Sequence, residues 1–458
     1  MKDAGLIPFN STGLKIHMKQ GQQDLLALHQ ANPERYPFFL ESVAHATDEA
    51  CTSRFDILFA FPQETLTLSN NLQLKGYTDI QGDDFLDNLS HWWKSQRSHL
   101  IECDTLPFTG GWFLYLGYEL AQQVEPQLKL KSSNTPVAYA TRIPAAIIYD
   151  HQTNNTYCVT EKEFDYLEQL KFDCETPHTL NIQSPSLEDI IEEDENQYLN
   201  SINKIKNYII DGDVFQVNLS RLWNMNNANI SAVDVYQKLR LSNPAPFAGL
   251  AVHQGFSIIS SSPERLISVN NGRVETRPIA GTRRREKDKA KDEALKSELI
   301  AHPKERAEHI MLIDLERNDL GRICVPGSIN VDELMVLESY AHVHHIVSNV
   351  CGKLKENILP GEIIKAVFPG GTITGCPKVR CMEIISELET EARGAYTGSM
   401  GYLNHNGDMD INILIRTITL KNNTLQFRAG AGLVADSVAQ AELEETRHKA
   451  RGLLLALQ

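Results

Sequence analysis

The sequence predicts a mixed α/β fold on three observations. Residues 1–180 hold short apolar and aromatic runs bounded by Pro, Gly, Asn and Asp, which is how strands and their turns read. Tyr198, Ile202, Ile205 and Ile209 keep the three- and four-residue spacing of a single helix face. Beyond Gly212, strand-like and helix-like segments alternate to the C-terminus.

Taken in order, Phe55–Phe61, Gly111–Tyr118 and Ala145–Asp150 are expected strands, and Ser90–Lys94 falls in a helix. Residues 174–193 are polar and weakly periodic and carry two prolines. They are the expected link between an N-terminal region, 1–180, and a second region, 190–458. The helix through Tyr198 closes at Gly212. A strand follows at Val214–Arg221, then a helix at Ala232–Leu241 stopped by the prolines before Phe247. Strands near 247–252 and 257–261 lead to a hairpin tipped by Asn270, Asn271 and Gly272. A helix over Asp292–Leu320 should be interrupted near Pro303. In the strands that run on to Ser348, His344 and His345 should alternate between core and surface. Phe368–Lys378 reads as a loop entering a helix, with exposed N–H groups that favour an anion. There is no internal repeat.

The chain has 458 residues, enough for one large core or two domains, and 42% hydrophobic and 22% charged residues, as in an ordinary globular enzyme. A net charge of −15 argues against a nucleic-acid surface, which needs clustered Lys and Arg. The Arg283–Lys291 run is interleaved with acids and reads as a solvated segment. No apolar run reaches the roughly 20 residues of a membrane span and no secretory leader is visible, so a cytoplasmic setting is expected. The eight cysteines form no C-x-x-C pair and read as reduced packing residues.

The segment with most chemistry is Arg416–Lys449. It reads as a strand ending at Arg416, a hairpin, a second strand, a glycine-rich turn at Arg428–Gly432 and a helix. On that helix Glu442, Glu445 and Lys449 lie along one face. Bare N–H groups at Gly430 and Gly432 would hold a carboxylate, and the paired acids suggest a divalent cation. Taken alone, each motif also fits a solvated helix face or an ordinary bulge.

Their order along the chain is more specific. The motifs are Phe215–Arg221, Ser262–Arg265, Thr276–Arg283, Arg306–His309, Asp314–Arg322, Val343–Ser348, Pro369–Lys378 and Arg428–Ser437. Together with Pro37–Ser42, Ser53–Leu58 and Gly110–Tyr118, they make the chain resemble the chorismate-utilising enzymes. That family holds anthranilate synthase component I, aminodeoxychorismate synthase component I, isochorismate synthase and salicylate synthase. The resemblance implies a large, mostly antiparallel β-sandwich flanked by helices, built jointly by both regions. It implies that Glu308 and Glu445 would hold Mg²⁺, with Glu305 and Glu442 behind them. Gly430, Ala431, Gly432 and Lys449 would meet the ring carboxylate of chorismate. Tyr396 and Arg416 would bind the enolpyruvyl carboxylate. Ala280, Gly281, Thr372 and His345 would line the ring, and Glu264 would protonate the departing C4 hydroxyl. Glu41, Ser42, Pro244 and Phe247 resemble the place where family members bind tryptophan; a packed core without ligand fits them too.

Two positions bear on the product. Water-using members carry a lysine base where this chain has Gln216, and an amide cannot deprotonate water, so ammonia is the implied nucleophile. Aminodeoxychorismate synthases typically carry a lysine where this chain has Ala280; anthranilate synthases carry alanine. Ser53–Ile57, Ala245–Phe247, Val343–Ser348 and Pro369–Gly375 nevertheless look closer to aminodeoxychorismate synthase component I, the preferred reading, with anthranilate synthase component I as its alternative and a silent regulatory subunit as a third. No G-x-C-x-G elbow occurs, so ammonia would come from a separate glutamine amidotransferase subunit.

Overall fold

A computed structural model describes residues 13–43, 54–97, 105–183, 190–226, 228–340 and 343–458. Ser53, Cys51, Cys103 and part of the expected link, 184–189, lie outside them. Among the described residues there are two large sheets of 12 and 11 strands, and every recorded strand pairing, from Leu14 to Leu433, is antiparallel. The expected sandwich is present.

Both sheets mix early and late strands. In the first, Phe38–Glu41 pairs with Phe55–Ala60 on one side and with Phe247–His253 on the other. The order then continues through Phe256–Ser262, Thr417–Lys421 and Thr424–Leu433 to Gln216–Met225. In the second, Gly111–Leu116 pairs with Ser399–Asn404. That sheet runs on through Met409–Ile413, Arg265–Asn270 and Arg273–Thr276 to Val343–Lys353 and Ile279–Arg284.

Period-two alternation explains the layers. Phe38, Ile148, Ala251 and Ile258 turn toward the second sheet, and their neighbours Phe39, Ile147, Leu250 and Ile259 turn to helices outside the first. Phe113 and Tyr115 face inward from the second sheet, whereas Trp112, Leu114 and Leu116 face its own covering helices. Phe38 and Phe113 stack between the sheets at 4.1 Å with planes 5° apart. Helices 25–31, 167–175, 232–242 and 439–456 cover the first sheet, and helices 85–96, 303–323 and 360–367 the second.

The interruption at Pro303 is a shared cap. His302 ends the Lys289–Ala301 helix and its side chain accepts the Glu305 N–H at the start of Pro303–Ile323. The hairpin tip needs left-handed backbone at two adjacent residues, and Asn271 and Gly272 supply φ of 50° and 75°. The six described cysteines are unbridged, and all but Cys376 are buried, as packing residues should be. Among the described residues no helix is long and apolar enough to cross a membrane.

Candidate active site

The expected turn at Arg428–Gly432 is instead the end of the Thr424–Leu433 strand, in register with Gln216–Met225. Ser220 stands opposite Gly430 and Asn218 opposite Gly432, yet neither N–H bonds across the ladder. Ser220 N–H donates to Glu389 at 2.9 Å and Asn218 N–H to the Thr374 carbonyl at 2.9 Å. The backbone groups of Gly430 and Gly432 therefore point the other way, where Thr417–Lys421 covers the strand only as far as Phe427. Lys449 Nζ confirms that direction by donating to the Gly430 carbonyl at 2.9 Å. Glycine is needed here for room, not for bending. A Cβ on Gly430 would stand 2.7 Å from both the Tyr396 hydroxyl and Asn218 Oδ1, and one on Gly432 2.5 Å from Gln216 Nε2.

Glu264, in the turn between two strands of different sheets, is 5% exposed. Burial pushes its carboxyl up to about 7, opposed by the Thr372 hydroxyl, the Ile279 N–H, Lys449 and Arg416. That hydroxyl influences the acid without closing a well-formed bond, since Glu264 Oε1 and Thr372 Oγ1 both lack a hydrogen-bond partner among the described residues. A carboxyl that still holds its proton up to about pH 7, with one oxygen uncommitted, is equipped to donate it.

His345 lies on Val343–Lys353 opposite Thr282, and its Nδ1 is 3.0 Å from the Thr282 hydroxyl. Burial drives it down to about 4, with Glu338 opposing and Arg416 reinforcing, so it is a neutral imidazole. His344 corrects the expected alternation, because both histidines are buried. It is held between Asp292 at 2.9 Å and Ser339 at 2.8 Å, under the layer formed by the Lys289–Ala301 helix. Ala280 is buried opposite Ile346, and a bulge at Gly281 (φ 64°) shifts the register before Thr282. Glu305, paired with Arg283 at 3.2 Å, packs against that bulge.

Arg416 has left-handed backbone, φ 53°, rare for a long side chain. It keeps partial exposure, and no ion pair is recorded for it among the described residues. Burial depresses its guanidinium below the ordinary value while Tyr396, Glu445 and Glu264 oppose that shift. Tyr396 is set by a fully buried network that sequence reasoning missed. Glu389 takes Arg393 at 2.7 Å and Arg428 at 3.2 Å, and the Arg393 guanidinium lies 5.5 Å from the Tyr396 ring centroid. The i, i+4 spacing of Glu389 and Arg393 was the available signal.

The carboxylates gather on two helices. Burial raises Glu308, with Lys304 opposing and Glu305, Asp436 and Glu445 adding to the rise. Burial also raises Glu442, opposed by a Ser437 hydrogen bond and reinforced by Glu445. Lys449 reaches Glu445 at 2.7 Å and Lys304 reaches Asp436 at 3.1 Å. Among the described residues no group of three metal-ligating side chains is assembled. Glu308 and Glu445 are two hard oxygen donors whose mutual repulsion a cation would relieve, which fits an ion that keeps positions for water and substrate.

The four residues compared with a tryptophan site lie elsewhere, toward a cavity of about 400 Å³ between the sheets. Glu41, Ser42 and Phe247 line it; Pro246 and Pro107 do so as well, but Pro244 does not. Glu41 is tied to Arg240 at 3.0 Å and Tyr236 at 2.8 Å, and burial pushes it up to about 7.

Residues 30–455 match the family model described as chorismate binding enzyme. The chain is 44% identical over 361 residues to the anthranilate synthase component I-like protein of Synechocystis sp., covering 77% of this chain and 74% of that one. It is 42% identical over 365 residues to aminodeoxychorismate synthase component 1 of Bacillus subtilis, covering 77% of each. The crystal structure of anthranilate synthase component I from Streptococcus pneumoniae superposes with a TM-score of 0.79 at 31% identity, covering 89% of this chain and 94% of that one.

Proposed function

The chain belongs to the chorismate-binding enzymes, and from that premise we propose that it aminates chorismate with ammonia to 4-amino-4-deoxychorismate, as the component I of a two-subunit synthase. Gln216 carries the choice of nucleophile. It stands beside Gly432 at the centre of the site, where a neutral amide cannot take a proton from water. Protonated Glu264 gives its proton to the C4 hydroxyl, which leaves as water while the ammonia lone pair forms the new carbon–nitrogen bond; the nitrogen then sheds one proton. Arg416 and the Tyr396 hydroxyl hold the enolpyruvyl carboxylate. Lys449 and the N–H groups of Gly430 and Gly432 hold the ring carboxylate. Glu308 and Glu445 would hold Mg²⁺, whose charge would neutralise the substrate carboxylate. Neutral His345 and Thr372 border the ring without competing for the proton. By the same likeness, tryptophan is the ligand proposed for the cavity beside Glu41 and Ser42, and ammonia comes from a glutamine amidotransferase partner in a cytoplasmic complex.

Ala280 favours a second reading, anthranilate synthase, because no lysine is present there to add to the ring. Incubation with chorismate, Mg²⁺ and an ammonium salt separates the two. Aminodeoxychorismate without pyruvate is expected. Fluorescent anthranilate with one pyruvate per chorismate would establish the second reading instead, and an inert chain, with or without a glutaminase partner, would be a regulatory subunit.

A further inference from the structure

Two acceptors in the site have no donor. Gln216 Oε1 and Asn218 Oδ1 are shielded from solvent and make no hydrogen bond among the described residues, so both are open to a donor from a bound ligand or an ordered water. The two residues are i and i+2 on one strand, so both amides leave the same face. Their amides pack close against Gly430 and Gly432, at 2.7 Å and 2.5 Å from where a Cβ would stand on each. The backbone cannot shift to satisfy them. Asn218 is fixed by its N–H on the Thr374 carbonyl at 2.9 Å and by Arg393 on its own carbonyl at 2.7 Å.

Resting on the reading of the site as a chorismate aminase, we propose that Gln216 and Asn218 form the docking point of the attacking ammonia. Ammonia has three N–H donors and one lone pair. Two donors satisfy the two amide oxygens, and the lone pair is left unbonded and turned away from them. A carboxylate, which only accepts, cannot satisfy this pair. A cation is disfavoured by Arg416 and Lys449, both close enough to act on Glu264 in the same site.

The test measures KM for ammonia and for chorismate separately in Gln216→Met, Asn218→Leu and Asn218→Asp, with melting curves to confirm folding. Loss of one neutral hydrogen bond should raise the ammonia KM roughly five- to tenfold in Gln216→Met and Asn218→Leu. Chorismate KM should stay within about twofold, because neither residue holds the substrate. Asn218→Asp keeps an acceptor and should keep an ammonia KM near that of the wild type, a rescue that a merely structural asparagine would not give. If Asn218→Leu instead raises the chorismate KM more than the ammonia KM, the amide serves the substrate and the proposal is wrong. Unchanged ammonia KM in Gln216→Met and Asn218→Leu overturns it as well. A wild-type chain that consumes no chorismate at any ammonium concentration overturns the aminase reading itself, which is a separate result.

Discussion

Glu264→Gln should stabilise the protein while disabling it, and the gain should depend on pH. The buried carboxyl titrates at about 7 against 4.5 in an unperturbed chain. That difference corresponds to roughly 3 kcal/mol in favour of the protonated form when folded. The sign follows from proton linkage. A group whose folded value is raised contributes stability that is complete below its unfolded value and is lost as pH rises through its folded value. Wild type should therefore lose roughly 2–3 kcal/mol between pH 5 and 8 from this one group. Glutamine is neutral throughout and loses nothing. Urea unfolding of both proteins at pH 5, 6, 7 and 8 reads the difference directly. Turnover of the wild type should fall about tenfold per pH unit above 7 as the acid deprotonates, and the variant should lose kcat far more than chorismate affinity. A stability difference that is flat with pH would mean that Glu264 is not a neutral acid, and the reaction would then lack a proton source.

Other substitutions probe the remaining parts. Arg416→Lys replaces a planar fork by a point charge and should raise chorismate KM roughly tenfold to a hundredfold, read in initial rates. Glu445→Gln should shift the Mg²⁺ titration of activity to higher concentration; an unchanged titration would put the metal elsewhere. Gly430→Ala drives a Cβ to 2.7 Å from the Tyr396 hydroxyl and Asn218 Oδ1 and to 2.8 Å from the Leu219 carbonyl, and should both weaken chorismate binding and cost about 1–3 kcal/mol in urea unfolding. Glu389→Gln leaves Arg393 and Arg428 buried without their counter-ion and should cost roughly 3–5 kcal/mol in urea unfolding.

Much of this molecule was legible because its signals are local. The helical spacing through Tyr198, the interruption near Pro303 and the hairpin tip at Asn271 and Gly272 each depend on a few adjacent residues. The errors have a common origin. Gly430 and Gly432 signalled a turn because a sequence does not say whether a glycine serves dihedral freedom or a neighbour's approach, and here the neighbours are Tyr396 and Gln216. His344 was expected to alternate with His345, but a strand covered on both sides buries both of its faces. The buried Glu389–Arg393–Arg428 group was legible only in the i, i+4 spacing of Glu389 and Arg393, because Arg428 is brought to them by tertiary pairing alone. Glu308 and Glu445 belong to helices that begin at Pro303 and Ala439, and only the family pattern linked them before the fold was seen.

The place of Phe38–Glu41 in the first sheet bears on how the chain is made. One edge of that strand pairs with Phe55–Ala60 soon after synthesis, but the other waits for Phe247–His253. Ser42 and Pro246, bonded at the same junction, are 204 positions apart. A ribosome adding about 5–20 residues per second leaves that edge open for on the order of ten seconds or more. An exposed apolar edge with Phe38 and Phe39 is a template for pairing with another nascent chain. Pairing so distant in sequence is slow to form even after release. Expression yield at raised temperature should therefore depend on chaperone supply more than the equilibrium stability of the finished sandwich would suggest.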